Sequence, residues 1–294
     1  MNTIPNVFGG LEPRFTDYKK ARYAVLPVPY EATTSYRGGA GNGPQAIITA
    51  SQQVELFDDE LGAEFHAAGI ATLDALEPNA AGPEAMHADV HAAARRIVRA
   101  GKFLIGLGGE HGITAGLVRA VAGKHRDLSV LQIDAHLDLR DSYQQSRYSH
   151  ASAMRRTLPF VQTVVPVGIR SVSLEEHRFL RRKGTPVHPV TARECCESDD
   201  WIDRVLDRLG SRVYVTVDID GFDPAYAPGT GTPEPGGLDW YQVTSLLRLV
   251  AAEKHIVAAD VVEVAPIPGQ VATEFLAARL AYKIICYTQA ADRL

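Results

Sequence analysis

The sequence predicts an α/β fold in which a parallel sheet is covered by helices on both faces. Three observations predict it. Short apolar runs recur along the chain, stretches with helical spacing lie between them, and chemically capable residues stand just after several of the runs. Strands buried on both faces read as continuous apolar runs, and their alternation with helices is the signature of a parallel sheet.

The elements follow in chain order. Ala24–Pro27 is the first apolar run. Tyr36–Pro44 is too rich in turn formers to be the interior of a helix or strand. Ala85–Ala100 places Val90, Ala94, Ile97 and Val98 three to four residues apart, which predicts a helix with one apolar face. The runs Phe103–Gly106, Ser129–Ile133 and Val164–Val167 predict three more strands. A helix over Asp200–Leu209 precedes the run Val213–Val217. A second turn-rich segment, Pro224–Gly237, separates that run from a helix over Tyr241–Ala252. The run Val257–Val262 and a helix over Glu274–Ile285 close the series. The whole chain, 1–294, reads as one domain, without repeats or low-complexity segments.

Composition narrows the function. The 294 residues carry a net charge of −5, with 46% hydrophobic and 22% charged residues. There is ample apolar material for a core, which excludes general disorder. The acidic balance argues against a nucleic-acid or membrane-surface binder, either of which needs a basic footprint. Cys195, Cys196 and Cys286 form no disulfide framework and no zinc spacing, so a reduced, cytoplasmic setting is expected. Met1–Gly10 lacks the basic start and apolar core of a secretory leader. No apolar run approaches the ~18 residues of a membrane span.

In open parallel sheets ligands bind beyond the carboxyl ends of the strands. Three of the predicted strand ends are decorated: Gly108-Gly109-Glu110-His111-Gly112, Asp134-Ala135-His136-Leu137-Asp138 and Asp218-Ile219-Asp220. Alternation along a strand would turn Asp134 and His136 to one face, about 6.6 Å apart, and Asp218 and Asp220 likewise. Asp134 and Asp138 would lie ~13 Å apart on a straight strand. If both serve one site, Asp138 must stand in a loop where the chain curls.

A single histidine is ordinarily packed or solvated, and a lone Asp-x-Asp is often a cap or turn. Together, four aspartates at one sheet edge repel, and desolvation aggravates the repulsion. Two divalent cations remove it. Carboxylate and imidazole donors without thiolate favour Mn²⁺, with Ni²⁺, Co²⁺ or Fe²⁺ conceivable. Two such ions ~3.5–4 Å apart could share a bridging water and lower its pKa from ~15.7 toward ~7, giving a hydroxide nucleophile. The Gly106–Gly109 segment lacks the Lys-Ser/Thr of a nucleotide loop.

These motifs resemble the ureohydrolases, the arginase and agmatinase family, and most of all its agmatinase branch. The resemblance runs nearly end to end. It includes Pro29-Tyr30-Glu31, Thr34–Gly39, Gly43-Pro44, Ser149-His150-Ala151, Val167–Ser171, Asp218–Pro224, Pro228–Glu234 and Asp260–Pro266 as well as the three decorated ends. It implies an arginase-like three-layer α/β/α sandwich with a central, mainly parallel sheet, two Mn²⁺ ions, and hydrolysis of a guanidinium group to urea and an amine. It implies that His111, Asp134, Asp138 and Asp218 hold one ion, and Asp134, His136, Asp218 and Asp220 the other. It also implies proton transfer by His150, a substrate-guanidinium partner in Glu263, and a homo-oligomer, trimer or hexamer.

The chemistry agrees with those roles. A planar guanidinium suits a bidentate carboxylate. The leaving amine needs a proton, which a histidine titrating near neutrality supplies. One departure stands out: Gly112 replaces the serine that usually follows the histidine, whereas Glu110 in place of the commoner aspartate is a variation of agmatinase-like members.

Agmatine is the first expectation for the substrate and N1-aminopropylagmatine the second. Guanidinobutyrate, guanidine and formiminoglutamate follow. An amide, formimino or acetyl hydrolase on the same scaffold, and a silent metal- or guanidino-binding scaffold, are the alternatives from other classes.

Overall fold

A computed structural model describes residues 6–292. The single-domain reading of 1–294 and the leader reading of Met1–Gly10 therefore lie partly outside the described residues. Ten strands alternate with helices: β1 (Tyr23–Val28), β2 (Phe57–Asp58), β3 (Ala63–Glu64), β4 (Ile70–Thr72), β5 (Phe103–Gly108), β6 (Leu128–Ile133), β7 (Thr163–Ile169), β8 (Val190–Thr191), β9 (Arg212–Asp218) and β10 (His255–Val262). The helices are α1 (Pro13–Thr16), α2 (Gly43–Ser51), α3 (Pro83–Arg99), α4 (Thr114–Ala122), α5 (Ala153–Thr157), α6 (Leu174–Leu180), α7 (Ala192–Glu197), α8 (Trp201–Arg208), α9 (Trp240–Glu253) and α10 (Ala272–Ala291).

Eight strands form one sheet in the order β4-β1-β5-β10-β9-β6-β7-β8, and every pairing in it is parallel. β2 and β3 make a separate antiparallel pair. Alternation explains why the strands read as unbroken apolar runs. Tyr23 and Val25 of β1 join the core under α2, α8, α9 and α10, whereas Ala24, Leu26 and Val28 join the core under α3, α4 and α5. β9 divides in the same way, Val213, Val215 and Val217 to one side and Tyr214 to the other. Both faces are covered by helices, so neither shows the solvent-facing polar alternation of a half-exposed strand.

The six predicted strands are present, each extended by one to three residues. The edge strands β4 and β8 escape a reading by pattern because three and two residues carry no periodicity. The turn-rich segment Tyr36–Pro44 is not all loop: it holds a short 3₁₀ turn, Ala40–Asn42, and its last residue, Pro44, is in the first turn of α2. Proline suits that position, where its missing N–H would have had no partner. The predicted helices match α3, α8, α9 and α10, while α1, α2, α4, α5, α6 and α7 are not among those predicted.

Because all eight strands run the same way, their carboxyl ends share one edge. β5, β10, β9 and β6 are consecutive neighbours. Segments far apart in the chain are thereby brought side by side, with Asp218 opposite Val262 and Thr216 between Gln132 and Asp260. Among the described residues no helix is long and apolar enough to cross a membrane.

Candidate active site

His111 opens the short 3₁₀ turn between β5 and α4, and its ring is fully buried. Its Nδ1 lies 3.0 Å from Asp138 Oδ2, 3.2 Å from Asp134 Oδ2 and 3.4 Å from Asp218 Oδ2. That nitrogen has no properly aligned hydrogen-bond partner among the described residues. A second cluster adjoins the first. His136 Nδ1 lies 3.0 Å from Asp220 Oδ2 and 3.6 Å from Asp134 Oδ1. Asp134 therefore turns one oxygen to each histidine.

The electrostatics are those of crowded, dehydrated charges. Burial and the neighbouring Asp220 and Asp134 carboxylates push Asp218 far above the usual carboxylate range. Burial likewise carries Asp138 up to about 7. Burial alone would lower both histidines, yet the facing carboxylates override it, raising His111 well above its ordinary value and His136 to about 12. The clusters want positive charge.

The donor set fits a divalent cation. Donor atoms sharing one ion with bonds of ~2.1 Å lie about 3.0 Å apart at right angles and about 3.4 Å apart at the tetrahedral angle. The three carboxylate oxygens around His111 Nδ1 fall at those separations from it. Two groups, His111-Asp134-Asp218 and Asp134-His136-Asp220, have donor atoms close enough to hold an ion each.

Local backbone geometry makes this crowding possible. β6 ends at Ile133, and Asp138 follows in a loop with φ +52°, as the curl of the chain requires. Strand alternation does not place Asp218 and Asp220. β9 ends at Asp218, and Ile219–Gly221 is a 3₁₀ turn in which Asp220 N–H donates to Asp218 Oδ1 at 3.0 Å. His136 N–H donates to Asp134 Oδ1 at 2.6 Å in the same manner. Each aspartate caps the amide two residues on, so the extended ~6.6 Å spacing is lost at both motifs.

A cavity of about 210 Å³ opens over the clusters, with His136, Asp138, Asp218 and Asp220 in its floor and His150, Glu176 and Glu263 in its walls. Glu263 follows β10 with φ +62°, an unusual conformation for a side-chain-bearing residue. It is held there by its amide donating to Gly109 O at 2.8 Å and by His111 N–H donating to its Oε1 at 2.6 Å. Burial pushes its carboxyl up to about 8.

The His150 Nδ1 lies 3.0 Å from Thr33 Oγ1, which also accepts the His150 amide at 3.0 Å. Burial and the nearby His111 and His136 charges lower His150 to about 4, not the near-neutral value expected from the residue type. Its resting ring is neutral.

Several participants are given no role by the sequence. Glu110 is fully buried, and its Oε2 accepts the Ala32 and Thr33 amides at 2.9 and 2.6 Å, seating the loop that carries Thr33. Its Oε1 lies 3.2 Å from where a Cβ on residue 112 would be. Glu110 and the Gly112 departure thus meet in space: the longer acid occupies room that a side chain at Gly112 would need. Gln132 Nε2 donates to Asp134 Oδ2 at 2.8 Å. Glu176 caps α6 and also accepts the Leu139 amide at 2.9 Å. The contacts of Glu110 with Ala32 and of Glu176 with Leu139 span 78 and 37 positions, beyond the reach of any local pattern.

Comparison with known proteins agrees with the architecture. The Arginase family model matches residues 21–286. An N(1)-aminopropylagmatine ureohydrolase from Synechocystis sp. is 42% identical over 280 residues, covering 92% of this chain and 90% of that protein. An agmatinase from Bacillus anthracis is 33% identical, covering 85% of this chain and 86% of its own. The crystal structure of agmatine ureohydrolase from Thermoplasma volcanium superposes with a TM-score of 0.86 at 32% identity, covering 100% of this chain and 96% of that one. With the eight-stranded parallel sheet, the strand-end clusters and these matches in hand, the chain belongs to the arginase family of ureohydrolases, hydrolases of guanidino C–N bonds.

Proposed function

We propose that this ureohydrolase acts on N1-aminopropylagmatine, releasing urea and spermidine, with two manganese ions at the clusters. The observation that carries the reading is the pair of ligand clusters sharing Asp134 beneath a cavity walled by two further carboxylates, Glu263 and Glu176. The relative at 42% identity bears that activity in its name, against 33% for the agmatinase. This order reverses the expectation from motifs alone, in which agmatine came first. Agmatine remains the second reading, favoured by the likeness to the Thermoplasma volcanium structure.

His111, Asp134, Asp138 and Asp218 would hold one ion, and Asp134, His136, Asp218 and Asp220 the other. The oxygen-rich donor set favours manganese, with nickel or cobalt as alternatives. When bound, a divalent pair acidifies water and stabilises developing negative charge.

The chain's own residues do the rest. Glu263 pairs with the substrate guanidinium and turns its carbon toward the cluster floor. Glu176 lines the same cavity, its Oε1 accepting the Leu139 amide and its Oε2 the Ser173 amide and hydroxyl, and is the carboxyl group we place opposite the additional ammonium of a polyamine. His150 has Nδ1 engaged by Thr33, so Nε2 is the atom left to hold a proton. Neutral at rest, it accepts the proton released by the attacking water and delivers it to the leaving amine. Expulsion of an unprotonated amide anion is thereby avoided. Family resemblance supports a cytoplasmic homo-oligomer, trimer or hexamer.

The test is urea release by the Mn²⁺-loaded protein from N1-aminopropylagmatine, agmatine, arginine, guanidinobutyrate and guanidine side by side. A kcat/KM at least tenfold higher for N1-aminopropylagmatine is expected. Preference for agmatine moves the assignment to the second reading. No urea from any of the five overturns both.

A further inference from the structure

Behind His111 lies a buried polar chain that no step above uses. Asp260 stands in the middle of β10 and is fully buried between β5 and β9. A carboxylate in the centre of a parallel sheet is costly unless its oxygens are occupied. Three hydroxyls occupy them. Thr216 donates to Oδ1 at 2.6 Å, while Tyr214 and Thr114 donate to Oδ2 at 2.6 and 2.9 Å. The Thr216 oxygen also lies 2.9 Å from His111 Nε2.

Counting protons orients the chain. A threonine hydroxyl has one proton and two lone pairs. The Thr216 proton is spent on Asp260, so toward His111 its oxygen can only accept. His111 Nε2 must then carry the hydrogen. In the neutral ring that leaves Nδ1 bare, and Nδ1 is the atom facing Asp134, Asp138 and Asp218. A bare nitrogen facing three carboxylate oxygens is unsupportable without a cation. The same arrangement is what a metal ligand requires.

We infer that Asp260 and Thr216 are positioning residues that lock His111 in the Nε2–H tautomer and so present Nδ1 to the ion at the first cluster. The inference rests on the metal reading above and adds to it a cause for the ligand's orientation. Asp260 serves as the fixed acceptor and Thr216 relays its direction across the strand pair. Tyr214 and Thr114 hold the carboxylate without touching His111 Nε2. The device sits one sheet row beneath Asp218, so it acts on the ligand and not on the substrate.

The experiment compares Thr216→Val, Thr216→Ser and Tyr214→Phe with the wild type, reading Mn²⁺ affinity from the electron-paramagnetic signal of the free ion. Loss of a partner behind a metal-binding histidine typically weakens the metal 10- to 100-fold. Thr216→Val should therefore lose about 10- to 100-fold at one of two sites. Thr216→Ser should restore it, and Tyr214→Phe should leave it unchanged. Long-range ¹H–¹⁵N spectra of the ¹⁵N-histidine, Zn²⁺-loaded wild type should show His111, assigned against His111→Gln, protonated at Nε2. Protonation at Nδ1 overturns the inference even if no variant folds. So does a folded Thr216→Val with wild-type affinity, or a Tyr214→Phe as damaged as Thr216→Val. A wild type that takes up no Mn²⁺ overturns the metal reading together with the inference. Two bound ions with an indifferent Thr216→Val overturn the inference alone.

Discussion

Glu263→Gln isolates the electrostatic role of one buried carboxylate. The substitution keeps shape and retains an oxygen to accept the His111 amide, which Glu263 Oε1 now receives at 2.6 Å. What it removes is the negative charge that a bound guanidinium draws onto a cavity-wall carboxyl otherwise pushed up to about 8 by burial. A unit-charge pair at ~4 Å with an effective dielectric of ~20 is worth about 4 kcal/mol. The amide oxygen recovers part of this through a neutral hydrogen bond of ~1 kcal/mol. A net loss of about 2–4 kcal/mol follows, or roughly 30- to 1,000-fold in kcat/KM at about 1.4 kcal/mol per decade. Folding should not suffer, since burial already penalises the charged form of this carboxyl and a neutral isostere escapes that cost. The assay is urea release from N1-aminopropylagmatine at several substrate concentrations, with thermal unfolding as the control. A wild-type kcat/KM in a normally folded variant would refute the guanidinium-pairing role.

Four further outcomes are expected. Asp220→Asn keeps the bond from the Ala135 amide to its side-chain oxygen but loses the charge facing His136, so manganese content by emission spectrometry should fall from two ions to one and turnover should vanish; full activity would exclude a dinuclear mechanism. Chelation should lower the unfolding midpoint, because each ion held at ~100 times its Kd contributes about 2.7 kcal/mol; an unchanged midpoint would show that the carboxylate clusters are stable without cations. Gly112→Ser brings a Cβ to 3.0 Å from Tyr148 O and 3.2 Å from Glu110 Oε1, and overpacking of that kind costs about 1–3 kcal/mol in urea unfolding; a more stable variant would refute the fit between Glu110 and Gly112. Burial and the Arg119 charge hold His87 down to about 4, so the stability its neutral form contributes is present above the ordinary 6.5 and is lost as pH falls from 6.5 through 4; His87→Gln should flatten that part of the acid limb, and identical limbs would remove His87 from its cause.

Features that depend on local pattern are legible in the amino-acid order. Six strands are legible as apolar runs because both sheet faces are buried, and α3 is legible from the spacing of Val90, Ala94, Ile97 and Val98. Asp134-x-His136-x-Asp138 is legible because its members are neighbours in the chain, and the need for a loop at Asp138 follows from strand geometry alone. Features that depend on distant partners arise only once the chain is folded. Thr33 meets His150 across 117 positions, and Asp260 meets Thr216 across 44. A threonine or aspartate inside an apolar strand carries no sign of such a partner until parallel pairing sets β10 beside β9. The low value at His150 likewise arises from burial and from charges on two other segments, which no residue type announces. Local sequence sets periodicity and turn chemistry, whereas orientation, dielectric and charge at the site are sums over segments that only the fold assembles.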